Sequence, residues 1–154
     1  MSKLCGCVGN ECLDIAIKYH SESIDKIGKI AIGDWIDLRA AERVEMKMFD
    51  FKFISLGISM RLPEGYEVLI APRGSTFKQF GIIQTNSPGV VDNSYCGDDD
   101  IYKLPALALR DTVIEINDRI CQFRLIANQK ELRFNIVETL GDQNRGGFGS
   151  TGKN

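Results

Sequence analysis

The sequence predicts an all-β fold, arranged as a sandwich, jelly roll or barrel in a single domain. Short stretches of alternating apolar and polar residues recur along the chain, and this is the period of a half-buried strand. Turns rich in Gly, Pro and Asn separate these stretches. A chain of 154 residues, of which 44% are hydrophobic, is long enough to bury the core of one domain.

The strands are predicted from this alternation in chain order. The first covers residues 13–20. A second runs from Ile54 to Leu62, ends at a Pro-Glu-Gly turn and pairs as a hairpin with the run at 66–71. The chain turns again at Asn117-Asp118, and further strands are predicted at 120–125 and 132–136.

One short helix interrupts the strands. Ser75 or Thr76 is its predicted N-cap, residues 77–80 form about one turn, and Gly81 ends it. The sequence therefore predicts a β domain that carries a single helix.

Both ends of the chain differ in composition from the predicted domain at 13–140. The tail at 1–12 carries Cys5, Cys7 and Cys12, which we expect to be reduced thiols because neither the spacing of zinc ligands nor an even cysteine count is present. The arm at 141–154 is rich in Gly, Ser and Thr and poor in apolar residues. We expect it to be a mobile arm that closes over a ligand.

The charge of the chain excludes some partners. Nineteen basic residues against 21 acidic ones leave a net charge of −2, which predicts neither nucleic-acid nor membrane binding. No apolar run reaches the ~18 residues of a membrane span, and the first residues lack the pattern of a signal peptide. A cytoplasmic location is expected.

Two segments have the chemistry of phosphate binding. The stretch 144–152 combines glycine amides with hydroxyls, one guanidinium and one aromatic ring, although such stretches are also commonly disordered. At 72–76 an arginine leads into a helix N-terminus, whose unpaired amides favour anions. The alternative for that segment is a helix cap beside a structural arginine.

Acidic residues in three turns are candidates for catalysis. Asp92 could orient a water for attack, although an Asp in such a turn is more often a hydrogen-bonding turn residue. The run 98–100 could attract a cation or form a solvated loop. Asp118-Arg119 is open between ion pairing and catalysis.

In this order and spacing, five segments resemble the five motifs of the trimeric dUTPase family, over the chain from about residue 13 to its end. The segments are 35–40 (WIDLRA), 71–76 (APRGST), 89–97 (GVVDNSYCG), 117–122 (NDRICQ) and 145–152 (RGGFGSTG). The resemblance implies a dUTPase-like jelly roll, a homotrimer whose active sites are shared between subunits, and hydrolysis of dUTP with Mg²⁺.

The resemblance also implies roles for the third segment and its surroundings. Asp92 would be the general base that activates a water for attack on the α-phosphorus. Tyr95 would pack against the deoxyribose and exclude a 2′-hydroxyl. Asn86, with the neighbouring backbone that includes Gly89 and Val91, would read the uracil edge and reject cytosine.

The remaining matched residues would hold the phosphates and the metal. Asp37 would reach Mg²⁺ through a coordinated water. The expected phosphate ligands are Arg73, Gly74, Ser75 and Gln122 in the domain. The arm would add Arg145, Gly149, Ser150 and Thr151, while Phe148 would stack on the uracil.

Gly74 departs from the family pattern, which usually has a serine there, and Ser75 or the helix amides are candidates to replace that hydroxyl. The first motif has Asp34-Trp35 in place of the usual Ala-Gly pair, and two residues are missing between Arg145 and Phe148, as in a shorter bacterial and phage branch. Gly74 and the cysteine tail also motivate an alternative, a nucleotide-dependent regulator that binds a protein partner. A third reading, dCTP deaminase, is disfavoured because the stretch after Asp92 follows the dUTPase tyrosine pattern.

Overall fold

The computed structural model describes residues 12–28 and 31–148. Within them the chain forms eleven strands and one helix. In chain order these are β1 (Ala16–Tyr19), β2 (Ile36–Arg39), β3 (Val44–Met46), β4 (Phe51–Ser55), β5 (Ile58–Arg61), β6 (Tyr66–Pro72), α1 (Thr76–Phe80), β7 (Ile82–Gln84), β8 (Gly89–Val91), β9 (Lys103–Ala108), β10 (Thr112–Ile114) and β11 (Arg119–Ala127). The all-β prediction with one short helix is confirmed.

The strands form four open, antiparallel sheets. The largest has the order β2-β11-β6-β8, the next has the order β4-β9-β7, and β1-β5 and β3-β10 are two-stranded. Leu38 and Phe123 of the largest sheet belong to the same apolar core as Ile54 and Leu104 of the three-stranded sheet. Strands from separate sheets therefore share one hydrophobic core.

A β-bulge shapes the centre of the largest sheet. Along β11, Arg119 pairs with Arg39 but Cys121 pairs with Leu38, so Ile120 is an extra residue on that strand. Simple alternation would place Ile120 and Cys121 on opposite faces, yet both are fully buried. The bulge bends β11 so that consecutive side chains enter the core.

The predicted strand from Ile54 to Leu62 is two strands in different sheets. Gly57 lies between them with a φ of +65°, a left-handed conformation that suits glycine. A Cβ at this position would lie 2.6 Å from the Cβ of Ala41. The apolar alternation identified the buried face correctly, because Ile54, Ile58 and Met60 are all in the core, but it concealed the break.

The predicted hairpin between this run and residues 66–71 is wrong. β5 pairs with β1, while β6 pairs with β11 on one edge and β8 on the other. Since both edges of β6 are occupied, β5 has no edge there to pair with. The Pro-Glu-Gly turn, with Gly65 at a φ of +82°, carries the chain from one sheet to another.

The predicted strand at 132–136 is also absent from this chain. Residues 128–138 form no regular structure, and Phe134 and Ile136 are almost fully exposed. A strand needs an edge to pair with, and β11 already runs between β2 and β6. The apolar alternation there has no partner within the described chain.

The helix agrees with its prediction. It begins at Thr76 after Ser75 and ends at Gly81, whose φ of +62° is the left-handed C-terminal cap. Among the described residues, no helix is long and apolar enough to cross a membrane. Cys12 is disulfide-bonded, so the expectation of a reduced thiol there is wrong; Cys5 and Cys7 lie outside the described residues.

Candidate functional site

The four-stranded sheet brings together four of the five predicted motif segments. Asp37 on β2 lies opposite Gln122 on β11, and Gln122 lies opposite Ala71 on β6. On the other edge of β6, Ile70 lies opposite Gly89, the first residue of the third segment. Segments more than 80 residues apart in sequence, such as those of Asp37 and Gln122, therefore become neighbours through strand pairing.

An ionic cluster forms where β2, β6 and β11 meet. Arg73 Nε lies 2.7 Å from Asp37 Oδ1, and Arg119 Nη1 lies 3.2 Å from Asp37 Oδ2. The Gln122 side-chain amide donates to the Pro72 carbonyl at 3.1 Å. Two guanidinium groups beside one carboxylate leave positive charge in excess, which suits an anion.

A buried hydroxyl connects the second and fourth segments. Thr76 Oγ1 donates to the Ile120 carbonyl at 2.9 Å and accepts the Arg73 backbone N–H at 2.9 Å. The bulge removes Ile120 from the regular pairing of β11 with β2, and Thr76 supplies a partner for its carbonyl. This bridge holds the backbone of Arg73 against β11.

The helix start beside this cluster has unused polar groups. Ser75 makes no side-chain capping hydrogen bond, and no acidic residue lies in the first helical turn. Gly74 is exposed, with no atom within 4 Å of where a Cβ would stand. The Ser75 hydroxyl and the Gly74 backbone are therefore accessible to a ligand.

A cavity of about 510 Å³ lies on the other side of β6. It is lined by five of the predicted residues, Asn86, Gly89, Val91, Asp92 and Tyr95. Ile70, Tyr102 and Pro105 give it apolar walls. A pocket of this size with apolar walls and a few polar groups suits a small flat ligand such as a nucleobase with its sugar.

Asp92 is the acidic group of this cavity. Its Oδ1 accepts the Ser94 backbone N–H at 2.8 Å, and the side chain is exposed. Hydrogen bonds from the Ser94 side chain and backbone lower the pKa of Asp92 below its ordinary value. The carboxylate is therefore ionised at neutral pH and able to accept a proton from water.

Two tyrosines form one wall of the cavity. Tyr95 is half-exposed, and its ring centroid lies 6.2 Å from that of the buried Tyr102. Burial raises the pKa of Tyr102 to about 12, so its hydroxyl stays protonated. The wall presents an aromatic face without a charge.

Glycine at 89 leaves room for the Gln84 amide beside β8. A Cβ there would lie 2.8 Å from Gln84 Nε2 and 3.3 Å from the Cβ of Ile70. Only glycine lets β8 approach β6 while Gln84 stays beneath it.

The chain does not bring all predicted residues to one place. The cavity is not lined by Asp37, Arg73, Gly74, Ser75 or Gln122. Arg145 is exposed and Phe148 is fully exposed, and neither lines the cavity. Gly149, Ser150 and Thr151 lie outside the described residues.

Three of the remaining acidic candidates bond to neighbouring parts of the chain. Asp98 pairs with Lys18 at 3.6 Å, and Asp100 accepts the Gly97 N–H at 2.7 Å. Asp118 accepts the Glu115 N–H at 2.9 Å in the turn before β11. Within residues 12–28 and 31–148, no three His, Cys, Asp or Glu side chains cluster as a direct metal site.

Sequence reasoning overlooked several contributors to the two regions. Gln84 and Tyr102 line the cavity, and the Thr76 hydroxyl bridges two segments. Gln84 could have been found, since it ends the strand that leads into the turn of Asn86. Neither the burial of Tyr102 nor the bridge at Thr76 has a comparable sequence signal.

The fold and the two regions define a class of protein, one that binds a nucleoside phosphate between a cavity with apolar and aromatic walls and an ionic cluster. The family model described as dUTPase matches residues 35–152, and the chain belongs to the dUTPase family.

Similar proteins agree with this membership. The SPbeta prophage-derived deoxyuridine 5′-triphosphate nucleotidohydrolase YosS of Bacillus subtilis is 54% identical over 140 residues, which cover 91% of this chain and 99% of that protein.

Solved phage structures share the fold. A dUTPase of Staphylococcus bacteriophage 80alpha, solved with dUpNHpp, superposes with a TM-score of 0.73 at 15% identity and covers 91% of this chain and 99% of that one. A dUTPase of phage phi11 of S. aureus gives a TM-score of 0.69 at 14% identity over 84% of this chain and 99% of that one. The jelly-roll prediction is confirmed by these structures.

Proposed function

We propose that this protein hydrolyses dUTP to dUMP and pyrophosphate, with the cavity as the site for uracil and deoxyribose and Asp92 as the general base. The observation that carries the proposal is the position of an ionised Asp92 on a cavity shared with Asn86 and Tyr95. Membership of the dUTPase family and the activity in the name of the similar Bacillus protein support it.

The chemistry follows from the hydrogen bonds of Asp92. The Ser94 side chain and backbone N–H both donate to the Asp92 carboxylate, and a lone pair that they do not use accepts the proton from water. The resulting hydroxide-like oxygen attacks the α-phosphorus in line, and the bond from that phosphorus to the bridging oxygen of pyrophosphate breaks. The water proton passes to Asp92, and the electron pair leaves with pyrophosphate.

The apolar and aromatic part of the cavity recognises the base and sugar. Tyr95 packs against the deoxyribose where a 2′-hydroxyl would stand. Asn86 and the backbone at Gly89 and Val91 pair with the uracil edge, and mismatched donors and acceptors disfavour cytosine.

The ionic cluster and the residues beside it hold the phosphates. Arg73, Ser75 and Gln122 donate to phosphate oxygens, and the amides after Gly74 take the place of the missing serine hydroxyl. These residues stand on the same sheet as the cavity but do not line it. This separation supports a site shared between subunits, which the dUTPase resemblance implies.

Asp37 fits Mg²⁺ only through water. Arg119 donates to one of its carboxylate oxygens and Arg73 pairs with the other, and the remaining lone pairs are available to a metal-bound water. Mg²⁺ keeps several waters and needs few protein ligands, which accords with such an arrangement. When bound, the ion neutralises charge on the phosphates. The phi11 structure describes a structural Mg(II) ion in that protein.

We assign the assembly as a homotrimer with shared active sites. The segment after β11 carries a set of exposed apolar side chains, Leu132, Phe134, Ile136, Val137 and Leu140. Exposure of these apolar side chains to water is unfavourable, so this segment is a candidate for an interface with another subunit. Docked on a neighbouring subunit, it would direct the arm at 141–154 to that subunit's site, where Arg145, Gly149, Ser150 and Thr151 grip phosphate and Phe148 covers the uracil.

The oligomer is tested by light scattering of the wild-type protein and of Ile136→Asp. A trimer that dissociates in the variant supports the assignment. A wild-type monomer that hydrolyses dUTP at full rate would refute both the trimer and the shared site.

The activity is tested by incubating the protein with dUTP and Mg²⁺ and following dUMP and pyrophosphate, with UTP, dCTP and dTTP in parallel. Release from dUTP alone is expected. Asp92→Asn should bind dUTP but not turn it over, while Asp99→Asn, an exposed acid of the same loop region, serves as the matched control. Normal turnover by Asp92→Asn would remove Asp92 as the base.

A regulatory function through a protein partner is the second candidate. Gly74 in place of a serine motivates it, as does the structure of the 80alpha dUTPase described as controlling the transfer of virulence genes by a G protein-like mechanism. Affinity capture with and without dUpNHpp, using Asp92→Asn, tests it. Nucleotide-dependent capture of one specific partner supports the candidate, and no capture in either state opposes it.

A further inference from the structure

The cavity contains a buried amide that the proposed reaction does not use. Gln84 is 7% exposed at the end of β7, and it lines the cavity. Its Nε2 donates to the Ile70 carbonyl at 3.1 Å and to Asn86 Oδ1 at 3.2 Å. Both amide protons of Gln84 are therefore engaged.

These two hydrogen bonds fix the orientation of both amides. The Ile70 carbonyl can only accept, so the Gln84 atom that faces it must be Nε2. The second Nε2 proton then requires an acceptor at Asn86, and this must be Oδ1. Asn86 consequently presents Nδ2, a donor, as its free group, and no described residue bonds to it.

The presence of an amide at 84 costs stability. Gln84 Oε1 is buried without a hydrogen-bond partner among the described residues. An apolar side chain of similar length would fill the space without this cost, as Ile82 does on the same strand. The compensating property of glutamine is its NH₂ group, which joins the Ile70 backbone to Asn86.

We propose that Gln84 is a positioning residue that sets the substrate preference by holding Asn86 with its NH₂ group toward the base. A donor at this place pairs with the O4 carbonyl of uracil and opposes the 4-amino group of cytosine. The Ile70 carbonyl thus fixes the orientation of the Gln84 amide, and the Gln84 amide fixes the orientation of the Asn86 amide that faces the base. This inference rests on the proposed placement of uracil in the cavity.

The test is the ratio of kcat/KM for dUTP to kcat/KM for dCTP. In Gln84→Met, which keeps the length but removes the donor, this ratio should fall by at least about tenfold, the value of one hydrogen bond in discrimination. Ile82→Val, a mild change in the buried face of the same strand, should leave it unchanged. A Gln84→Met variant with the wild-type ratio would overturn the proposal.

A double substitution separates positioning from a general loosening of the cavity. If Gln84 acts through Asn86, Gln84→Met should produce no further change in the ratio once Asn86→Ala is present. An equal fall in both backgrounds would show that Gln84 acts independently of Asn86, which contradicts the proposal.

Asn86→Asp provides a measurement that does not depend on a change in the core, since residue 86 is exposed. Aspartate still accepts from Gln84 but has no donor, so the ratio should fall at least as far as in Asn86→Ala. Its carboxylate also repels the O4 carbonyl of uracil and accepts from the 4-amino group of cytosine, which lowers the ratio further. Retained discrimination in Asn86→Asp would refute the role of the Asn86 donor. Failure of the proposed function would instead appear as a wild-type protein that does not hydrolyse dUTP.

Discussion

Replacing Thr76 with valine should destabilise the protein more than any other exchange of a hydroxyl for a methyl group in the described chain. The side chain is 2% exposed and makes the two hydrogen bonds that connect Arg73 to Ile120. Valine has nearly the same shape, so the perturbation is the loss of the hydroxyl and not the creation of a cavity. It leaves one N–H and one carbonyl without partners.

The magnitude follows from the burial of those two groups. The bond to Ile120 is buried, and an unpaired buried carbonyl costs about 3 kcal/mol at the upper end of its range. The bond from Arg73 is half-buried, so its loss costs about 1 kcal/mol. Burying a methyl in place of the hydroxyl returns about 0.8 kcal/mol. The free energy of unfolding should therefore fall by about 3 kcal/mol.

Urea denaturation of both proteins at one protein concentration measures this difference. With a slope of about 2 kcal/mol per molar urea, the midpoint should fall by about 1.5 M. Thr112→Val is the matched control, because Thr112 makes no side-chain hydrogen bond with any described residue and stands in a strand, where valine is tolerated. A loss in Thr76→Val below about 1 kcal/mol, or equal to that of Thr112→Val, would refute the reasoning.

Three further predictions concern Asp92, Gly57 and the arm. Because only the ionised Asp92 carboxylate acts as a base, activity should be lost as pH falls through its pKa. Ser94 lowers that pKa, so Ser94→Ala should move the acidic limb of the kcat/KM profile to higher pH. An unmoved limb would contradict this. Gly57→Ala should lower the melting temperature by about 10 °C, since it forces a left-handed φ and a clash with Ala41, whereas Gly28→Ala, with open space around it, should not. Removing residues 145–154 should abolish turnover and leave the melting temperature nearly unchanged, because residues 145–148 are exposed; a truncated protein that unfolds would show that the arm is structural.

Much of the fold could be predicted because it depends on local patterns. The first strand and α1 were identified from their own residues, since alternation, helix caps and a left-handed glycine act over a few positions. Strand pairing was mispredicted where it depended on competition for an edge. The hairpin at 63–65 failed because β11 and β8 occupy both edges of β6.

The candidate site was predicted to a similar extent. The resemblance indicated Asp92, Tyr95 and Asn86, and all three line one cavity. The engagement of Asp37 by two arginines was not predicted, because Arg73 and Arg119 reach it only through the alignment of three strands.

The sequence by itself determined the strand-rich class, the helix and the chemical types available to the site, since these depend on residue identity and short-range spacing. Only the tertiary structure decided which strands pair, where the bulge at Ile120 lies, and which atom of Asn86 faces the cavity. Each of these depends on hydrogen bonds between groups that are distant in sequence and shielded from water. A buried donor or acceptor can pair only with a group that the tertiary structure places next to it.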